Sequence, residues 1–210
     1  MPVEQQVPDI RFAICSSVTA DKQLNVQAGN NVSITAGQSR QSVDQAHQKT
    51  SKGTLSSTTR IAKDGFEGTT SVGSSLGGNT VTVVAGNSMR VSGSSVLSDA
   101  ATTLIAKNNL SIEAAQDSRN TTSFRDEKKS GLFSGGGIGI TYGVKQQSLD
   151  SQTTGATAAA STVGAVGGNV TLQAGNAYRQ VGSDVLAVAP TGAQICQQTA
   201  KPRQRCAGVA

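Results

Sequence analysis

The sequence is poor in the residues that build catalytic sites and wide hydrophobic cores. Its 210 residues include one histidine and no tryptophan, and aromatic residues make up 3%. The histidine, His47, follows Asp44 by three positions, but no serine or cysteine accompanies them in a recognisable nucleophile motif. We therefore assign His47 to a polar loop or strand. The scarcity of large rings favours narrow layers of Val, Ile, Leu and Ala.

Motifs for metals, cofactors and sugar cleavage are also missing. No HExxH, paired CxxC or DxDxDG segment is present, so we predict no metal site. The glycines of GGGIGITYG (135–143) lack the strand–GxGxxG–helix order of a dinucleotide loop, so we predict no cofactor. Asp126 and Glu127 are followed at once by Lys128 and Lys129, which is typical of a solvated face. The sequence thus predicts a protein that is not an enzyme.

Cysteine and proline lie towards the two ends. The cysteines are Cys15, Cys196 and Cys206, an odd number that does not indicate a disulfide framework. A loop closed by Cys196 and Cys206 is an alternative to free thiols. No proline lies within residues 9–189, which suits uninterrupted strand ladders.

The positive charge is concentrated at the C-terminal end. The chain has a net charge of +5, and residues 191–210 carry Lys201, Arg203 and Arg205 without an acid. The rest is nearly neutral, so we predict no nucleic-acid partner. No run approaches the roughly 20 apolar residues of a membrane helix, and IRFAIC (10–15) is too short for a signal peptide.

Two Gly- and Asn-rich phrases occur twice. GGNTVTVVAGN (77–87) returns as GGNVTLQAGN (167–176), and AGNNVSITAGQ (28–38) returns 78 positions later as AKNNLSIEAAQ (106–116). LNVQAG (24–29) echoes the same phrase. A period of this length indicates a repeat architecture.

The duplication predicts four segments. We expect the end of a truncated preceding repeat over 1–27, a first repeat over 28–105, a second over 106–189, and a divergent, disordered basic tail over 190–210.

Each repeated phrase alternates apolar and polar residues with a period of two, as VTVVA and VTLQA do. This pattern predicts half-buried β-strands, and the Gly and Asn residues that follow favour tight corners. Stacked copies would bury the apolar faces against one another. We therefore predict an all-β fold, a right-handed parallel β-helix or solenoid with Gly/Ser/Thr-rich insertions. Amide side chains stacked at a corner would form a ladder, and the candidates are Asn30, Asn79, Asn87, Asn108, Asn169 and Asn176.

The order of motifs resembles a known family. KKSGLFSGGGIGITYG (128–143), STVGAVGGNVTLQAGN (161–176) and GSDVL (182–186) are similar to the haemagglutinin-repeat region of filamentous-haemagglutinin-like two-partner secreted exoproteins. That family comprises adhesins and contact-dependent growth inhibition toxins. The resemblance implies a long secreted filament at the bacterial cell surface, an outer-membrane partner transporter, and contact with a target-cell surface or membrane. The first copy departs from the pattern at GTLSSTTRIAKDG (53–65).

The segment around the glycine run is the candidate contact element. Its apolar residues alternate with Gly and Thr and leave almost no bulk on the opposite face. We interpret it either as a hairpin or loop laid against the solenoid, or as an element that contacts a membrane or partner. The candidate contact residues are Leu132, Phe133, Ile138, Ile140, Tyr142 and Val144.

Three functional hypotheses follow from the sequence. The first is a fragment of a secreted surface filament that acts as a stalk with contacting insertions. The alternatives are a β-helical polysaccharide-acting enzyme, which would need converging carboxylates, and a non-functional gene remnant. Open strands at the ends of a stack would also permit edge-to-edge self-association.

Overall fold

The structure is a computed structural model that describes residues 9–13, 16–134, 139–188, 193–198 and 204–209. All regular elements in these residues are β-strands. The chain divides into two compact units, one formed by 1–39, 70–117 and 157–210 and the other by 40–69 and 118–156.

Within the described ranges, seventeen strands follow one another along the chain. In the first half they are β1 (Ile10–Ala13), β2 (Ser17–Ala28), β3 (Val32–Thr35), β4 (Gly37–Lys52), β5 (Ser56–Val72), β6 (Ser75–Ala85), β7 (Met89–Ser92) and β8 (Ser95–Ala106). In the second half they are β9 (Asn109–Glu113), β10 (Ala115–Ser134), β11 (Ile140–Ala159), β12 (Thr162–Ala165), β13 (Val170–Ala174), β14 (Ala177–Val181), β15 (Asp184–Ala187), β16 (Ala193–Gln198) and β17 (Gln204–Val209).

The first unit is built from stacked parallel strands. One sheet has the order β1-β3-β7-β9-β14, and every neighbouring pair in it is parallel. In the second sheet β2, β6 and β8 are successive parallel neighbours, and β12 and β13 both pair with β8. β15 and β16 then extend it from β12 and β13. The arrangement is consistent with a β-helix and confirms the predicted all-β fold of stacked repeats.

The two Gly-Asn phrases belong to this second sheet, two levels apart. β6 and β13 carry them, and β8 pairs with both. The register aligns Val26, Val83, Leu104 and Leu172 in one column, and the last three are fully buried. Burying an aliphatic side chain of this size contributes roughly 1.5–3 kcal/mol. Stacked aliphatic columns therefore supply the core that large aromatic rings would otherwise provide.

An asparagine ladder lines the corner before the first sheet. Asn87 Nδ2 donates to Asn31 Oδ1 at 3.1 Å, and Asn108 Nδ2 donates to Asn87 Oδ1 at 3.2 Å. Asn176 Nδ2 continues the series to Asn109 Oδ1 at 3.0 Å. Main-chain hydrogen bonds run parallel to the amide ladder. The Asn87 N–H, for example, donates to the carbonyl of Asn30, one level earlier.

Two of the predicted ladder residues lie elsewhere in the coil. Asn79 is exposed within β6, where the register shifts between Gly78 and Thr80. Asn169 lies just before β13, and its carbonyl accepts the Thr102 N–H at 3.0 Å. The prediction of one corner was wrong for this pair, because Asn79 lies inside β6 and Asn169 precedes β13, whereas Asn87 and Asn176 follow the ends of these strands.

A serine ladder marks the opposite corner. Ser74 N donates to Ser94 Oγ at 3.2 Å, Ser94 N to Ser161 Oγ at 3.3 Å, and Ser161 N to Ser183 Oγ at 3.4 Å. Each hydroxyl in turn donates to a main-chain carbonyl, as Ser161 Oγ does to Glu113 O at 2.6 Å. The first three serines are buried, and these bonds satisfy their polar atoms.

The second unit is a four-stranded sheet with the order β11-β10-β5-β4. Residues 53–55 join β4 to β5, and so short a connection requires a hairpin. β10 and β11 form the second hairpin. Between the hairpins, β5 and β10 pair antiparallel from Ser118↔Thr69 to Gly131↔Ser56 without a register shift.

Ion pairs reinforce the junction between the two hairpins. Arg60 Nε lies 2.6 Å from Glu127 Oε2, and Arg125 holds both carboxylate oxygens of Asp64 at 2.8 and 3.0 Å. The Arg125 hydrogen bond lowers the pKa of Asp64, and hydrogen bonds from Lys129 and Arg60 lower that of Glu127. The pairs favour the ionised form of both acids and join β5 to β10 in the observed register.

Two short strands lie in the segment expected to be a basic tail. β16 pairs parallel with β13, and β17 pairs antiparallel with β16. The register of this last pair places Cys196 directly opposite Cys206.

Candidate functional site

The candidate contact residues lie at one end of the hairpin sheet. Leu132 and Phe133 lie near the end of β10, and Ile140, Tyr142 and Val144 lie at the start of β11. Ile138 is outside the described residues. Leu132 and Tyr142 line one groove together with Leu55, from the connection between β4 and β5. We call Leu55, Leu132, Phe133, Ile140, Tyr142 and Val144 the tip cluster.

The tip cluster is unusually open to solvent for apolar side chains. Ile140 and Tyr142 are 78% and 77% exposed, and Leu55 and Val144 are also mostly exposed. Adjacent exposed apolar residues are costly in water, and such patches commonly mark a contact surface. The alternation seen in the sequence therefore does not bury these side chains.

Cationic side chains accompany the tip cluster. The Lys145 ammonium lies 5.7 Å from the centre of the Phe133 ring, within the range of a cation–π contact. Lys52 lines the same groove as Leu55. Apolar side chains beside ammonium groups suit contact with a lipid membrane that has an apolar interior and anionic headgroups.

Leu55 was missed in the sequence because its own segment departs from the family pattern. The signal was present nevertheless, since Gly53 and Gly131 are 78 residues apart and that offset aligns Leu55 with Phe133. Gly131 has φ +142°, and its Cα approaches the Leu55 carbonyl so closely that a side chain would clash. The glycine thus lets the ends of β5 and β10 meet at the tip.

The described residues offer no alternative centre with clear chemistry. Within the described ranges, no three His, Cys, Asp or Glu side chains are grouped to hold a metal ion. His47 is exposed on β4, and Glu127 is held by Arg60 and Lys129. No helix long and apolar enough to cross a membrane occurs in the described part of the chain.

Comparison with known proteins identifies the repeat. The hemagglutinin repeat family matches residues 55–195, a range that runs from just before β5 into β16 and leaves out β1 to β4. The chain belongs to the hemagglutinin-repeat family. No solved structure is significantly similar to it.

Several relatives of this hemagglutinin repeat are CdiA proteins. The chain is 37% identical over 177 residues to the tRNA nuclease CdiA of Escherichia coli strain STEC_O31, which covers 83% of this chain and 5% of the relative. It is 39% identical over 166 residues to the 16S rRNA endonuclease CdiA of Enterobacter cloacae, covering 78% and 5%. A deoxyribonuclease CdiA of Yersinia pseudotuberculosis is 41% identical over 121 residues, covering 56% and 11%.

The chain thus spans only a small part of the length of these relatives. It is homologous to the hemagglutinin-repeat region of CdiA exoproteins, a family that is typically secreted and belongs to two-partner secretion.

Proposed function

We propose that this hemagglutinin-repeat chain is a structural segment of a secreted surface filament, of the adhesin or contact-dependent growth inhibition type. It has no catalytic activity of its own. The nuclease activities in the names of the relatives belong to those whole proteins, of which the matched repeat is a small share. Export depends on an outer-membrane partner transporter acting on a longer chain.

The observation that carries this proposal is the constant register of the stack. The first sheet adds one parallel strand per level across β1, β3, β7, β9 and β14, and no pair in it is shifted. A stack of this kind lengthens by adding levels without changing its cross-section. This is the property that a stalk requires.

A duplication experiment tests the stalk. A second copy of residues 28–105, the proposed first repeat, is inserted after residue 105 of the full chain. The insert adds two levels, so the distance along the first sheet between levels on either side of it should grow by about 10 Å, at roughly 4.8 Å per level. Pulsed electron paramagnetic resonance between spin labels at positions 11 and 179, which share one column of that sheet on either side of the insertion, measures this change. An insert that leaves this distance unchanged, or abolishes cooperative unfolding, contradicts the proposal.

The tip cluster is the proposed site of contact with a target-cell membrane. The support is the exposure of Ile140 and Tyr142 beside Lys145 and Lys52. Flotation with vesicles of phosphatidylcholine and phosphatidylglycerol tests it on the intact chain. Replacing Ile140 and Tyr142 by Ser should weaken binding at least about tenfold, since it removes the two most exposed apolar side chains of the tip cluster.

The matched control is Leu149→Ser, on the same strand but away from the tip. Leu149 is 65% exposed, so its loss removes apolar surface comparable to that removed by the single tip change Ile140→Ser, with which it is compared. Binding that falls equally in both variants would indicate general stickiness of β11 and contradict a contact at the tip.

A further inference from the structure

The hairpin sheet ends on two open edges within the part of the chain that is described. β4 is exposed throughout after Gly37, and β11 is exposed except at Gly143 and Ala159. Neither strand contains proline. Such edges present unpaired N–H and C=O groups to which an extended strand can add.

The duplication shows which type of strand fits each edge. β4 and β10 are outgoing strands that begin 78 residues apart, and β5 and β11 are the returning strands that follow them. The sheet already contains one junction between a returning and an outgoing strand, β5 with β10. The open edge of β11 repeats the edge that β5 offers to β10. An outgoing strand is therefore its natural neighbour.

Hydrogen bonds within each hairpin show which residues of β5 and β11 are equivalent. This equivalence gives the register of an outgoing strand added to β11. Thr50 lies beside Thr59, with their hydroxyls 3.3 Å apart, and Thr59 pairs with Lys128 across the junction. In the second hairpin Gln146 donates to Asp126 at 3.0 Å, so Lys128, two residues further along, lies beside Val144. Val144 therefore corresponds to Thr59 and would face residue 50 or 128 of an outgoing strand.

This register brings charged residues face to face. Lys145 would lie opposite Lys49 if the added strand is of the β4 type, and opposite Glu127 if it is of the β10 type. Asp150 would lie opposite Asp44 in the first case and opposite Thr122 in the second. In the existing junction Glu127 pairs with Arg60, which holds the place corresponding to Lys145.

We propose that the open edge of β11 is a docking site for an extended strand of the β10 type and rejects one of the β4 type. The accepted strand carries an acid at the position of Glu127 and an uncharged residue at that of Thr122. A β4-type strand places Lys49 against Lys145 and Asp44 against Asp150, and like charges directly opposite destabilise a sheet. Identical copies of the chain are thereby disfavoured as edge partners in this register.

Two peptides from the protein's own strands test the proposal on the intact 210-residue chain. The probes are fluorescently labelled peptides of residues 118–131 and 40–53, which have equal length and the same formal net charge of +2. A difference in affinity between the two peptides therefore cannot come from their length or net charge. The 118–131 peptide should bind roughly tenfold more tightly in fluorescence anisotropy, because two repulsive pairs are removed and one attractive pair is gained.

Charge reversal identifies the edge. Lys145→Glu should invert the preference, since it repels Glu127 and attracts Lys49. Lys107→Glu makes the same change at an exposed residue of the other unit and should leave both affinities unchanged. The 118–131 peptide carrying Glu127→Lys should fall towards the affinity of the 40–53 peptide on the wild-type chain.

Equal binding of the two peptides to the wild-type chain would overturn the proposal. An unchanged order of affinities with Lys145→Glu would also overturn it, because docking would then occur elsewhere. If Lys145→Glu alters the far-UV circular dichroism spectrum, the Glu127→Lys peptide decides the question on the unmodified protein.

Discussion

Gly93 and Gly182 occupy equivalent turns and yet should respond very differently to alanine. Both have φ +57°, a conformation that favours glycine and costs other residues roughly 1–2 kcal/mol. A methyl group on Gly93 would overlap the Ala115 Cβ and approach the Ala36 Cβ to 3.0 Å. A methyl group on Gly182 would meet only the Ala114 Cβ, at 3.2 Å.

Both alanine variants carry the same backbone cost. The difference between their losses of unfolding free energy therefore reports the steric overlap at Gly93. Forcing an extra methyl into a packed site typically costs 1–3 kcal/mol beyond the backbone term. We therefore expect Gly93→Ala to lower the free energy of unfolding by about 2–5 kcal/mol and Gly182→Ala by about 1–2 kcal/mol. Urea unfolding followed by far-UV circular dichroism gives both values.

A double-mutant cycle separates the two contributions at Gly93. Ala115→Gly removes the main obstructing methyl, so Gly93→Ala in that background should cost the backbone term and only the smaller crowding against Ala36. A loss at Gly182 as large as that at Gly93, or a cycle without coupling, would refute the packing argument and leave only the dihedral angle.

Three further predictions concern other parts of the chain. Asn87→Ala removes two amide bonds of the ladder and should cost about 1–2 kcal/mol in urea unfolding, whereas Asn79→Ala, at an exposed position, should change stability by less than about 0.5 kcal/mol. A serine hydrogen bond, aided by two nearby arginines, lowers the pKa of Glu113 from its ordinary 4.5. The stability that Glu113 adds over Glu113→Gln is present above pH 4.5 and should shrink as the pH falls through the lowered value, as unfolding curves at several pH values would reveal. The register of β16 and β17 predicts an intramolecular Cys196–Cys206 disulfide after mild oxidation, and a peptide map that finds only free thiols at both would contradict it.

The stacked strands could be predicted because apolar and polar residues alternate along the segments that form the core. Val81 and Val83 lie on β6, Val170 and Leu172 lie on β13, and all four are fully buried. The apolar period of two fixed both the strands and their inward faces. The corner asparagines were predictable for a related reason, since identical amides can bond to one another one level apart.

The hairpin strands could not be predicted from that signal. β4 is exposed along nearly its whole length and carries no apolar period, so its sequence reads as a polar loop. What holds β5 to β10 is main-chain pairing with ion pairs such as Arg60 with Glu127, which join residues 67 positions apart. A single sequence gives no indication of such partners until the register is known.

Neutral and charged residues follow opposite rules in the stacked strands. Neutral residues gain from lying above their own kind, as Val83, Leu104 and Leu172 do. Charged residues lose by the same arrangement. On the outer face of the first sheet, the register therefore alternates arginine with serine across β1, β3, β7, β9 and β14, as Arg11, Ser33, Arg90, Ser111 and Arg179.

This alternation gives a physical reason for a repeat that spans two levels rather than one. Arginines on successive levels would lie about 4.8 Å apart, whereas the serine between them doubles that distance to about the Debye length at moderate salt. Glu113 reaches both Arg90 and Arg179 from the intervening level, at 3.1 and 2.6 Å. In the hairpins the two copies differ at the equivalent position, since Lys49 of the first corresponds to Glu127 of the second, and Glu127 pairs with Arg60 on the neighbouring strand. A duplicated stack can thus keep its apolar and amide columns identical, but its charged columns must alternate or diverge.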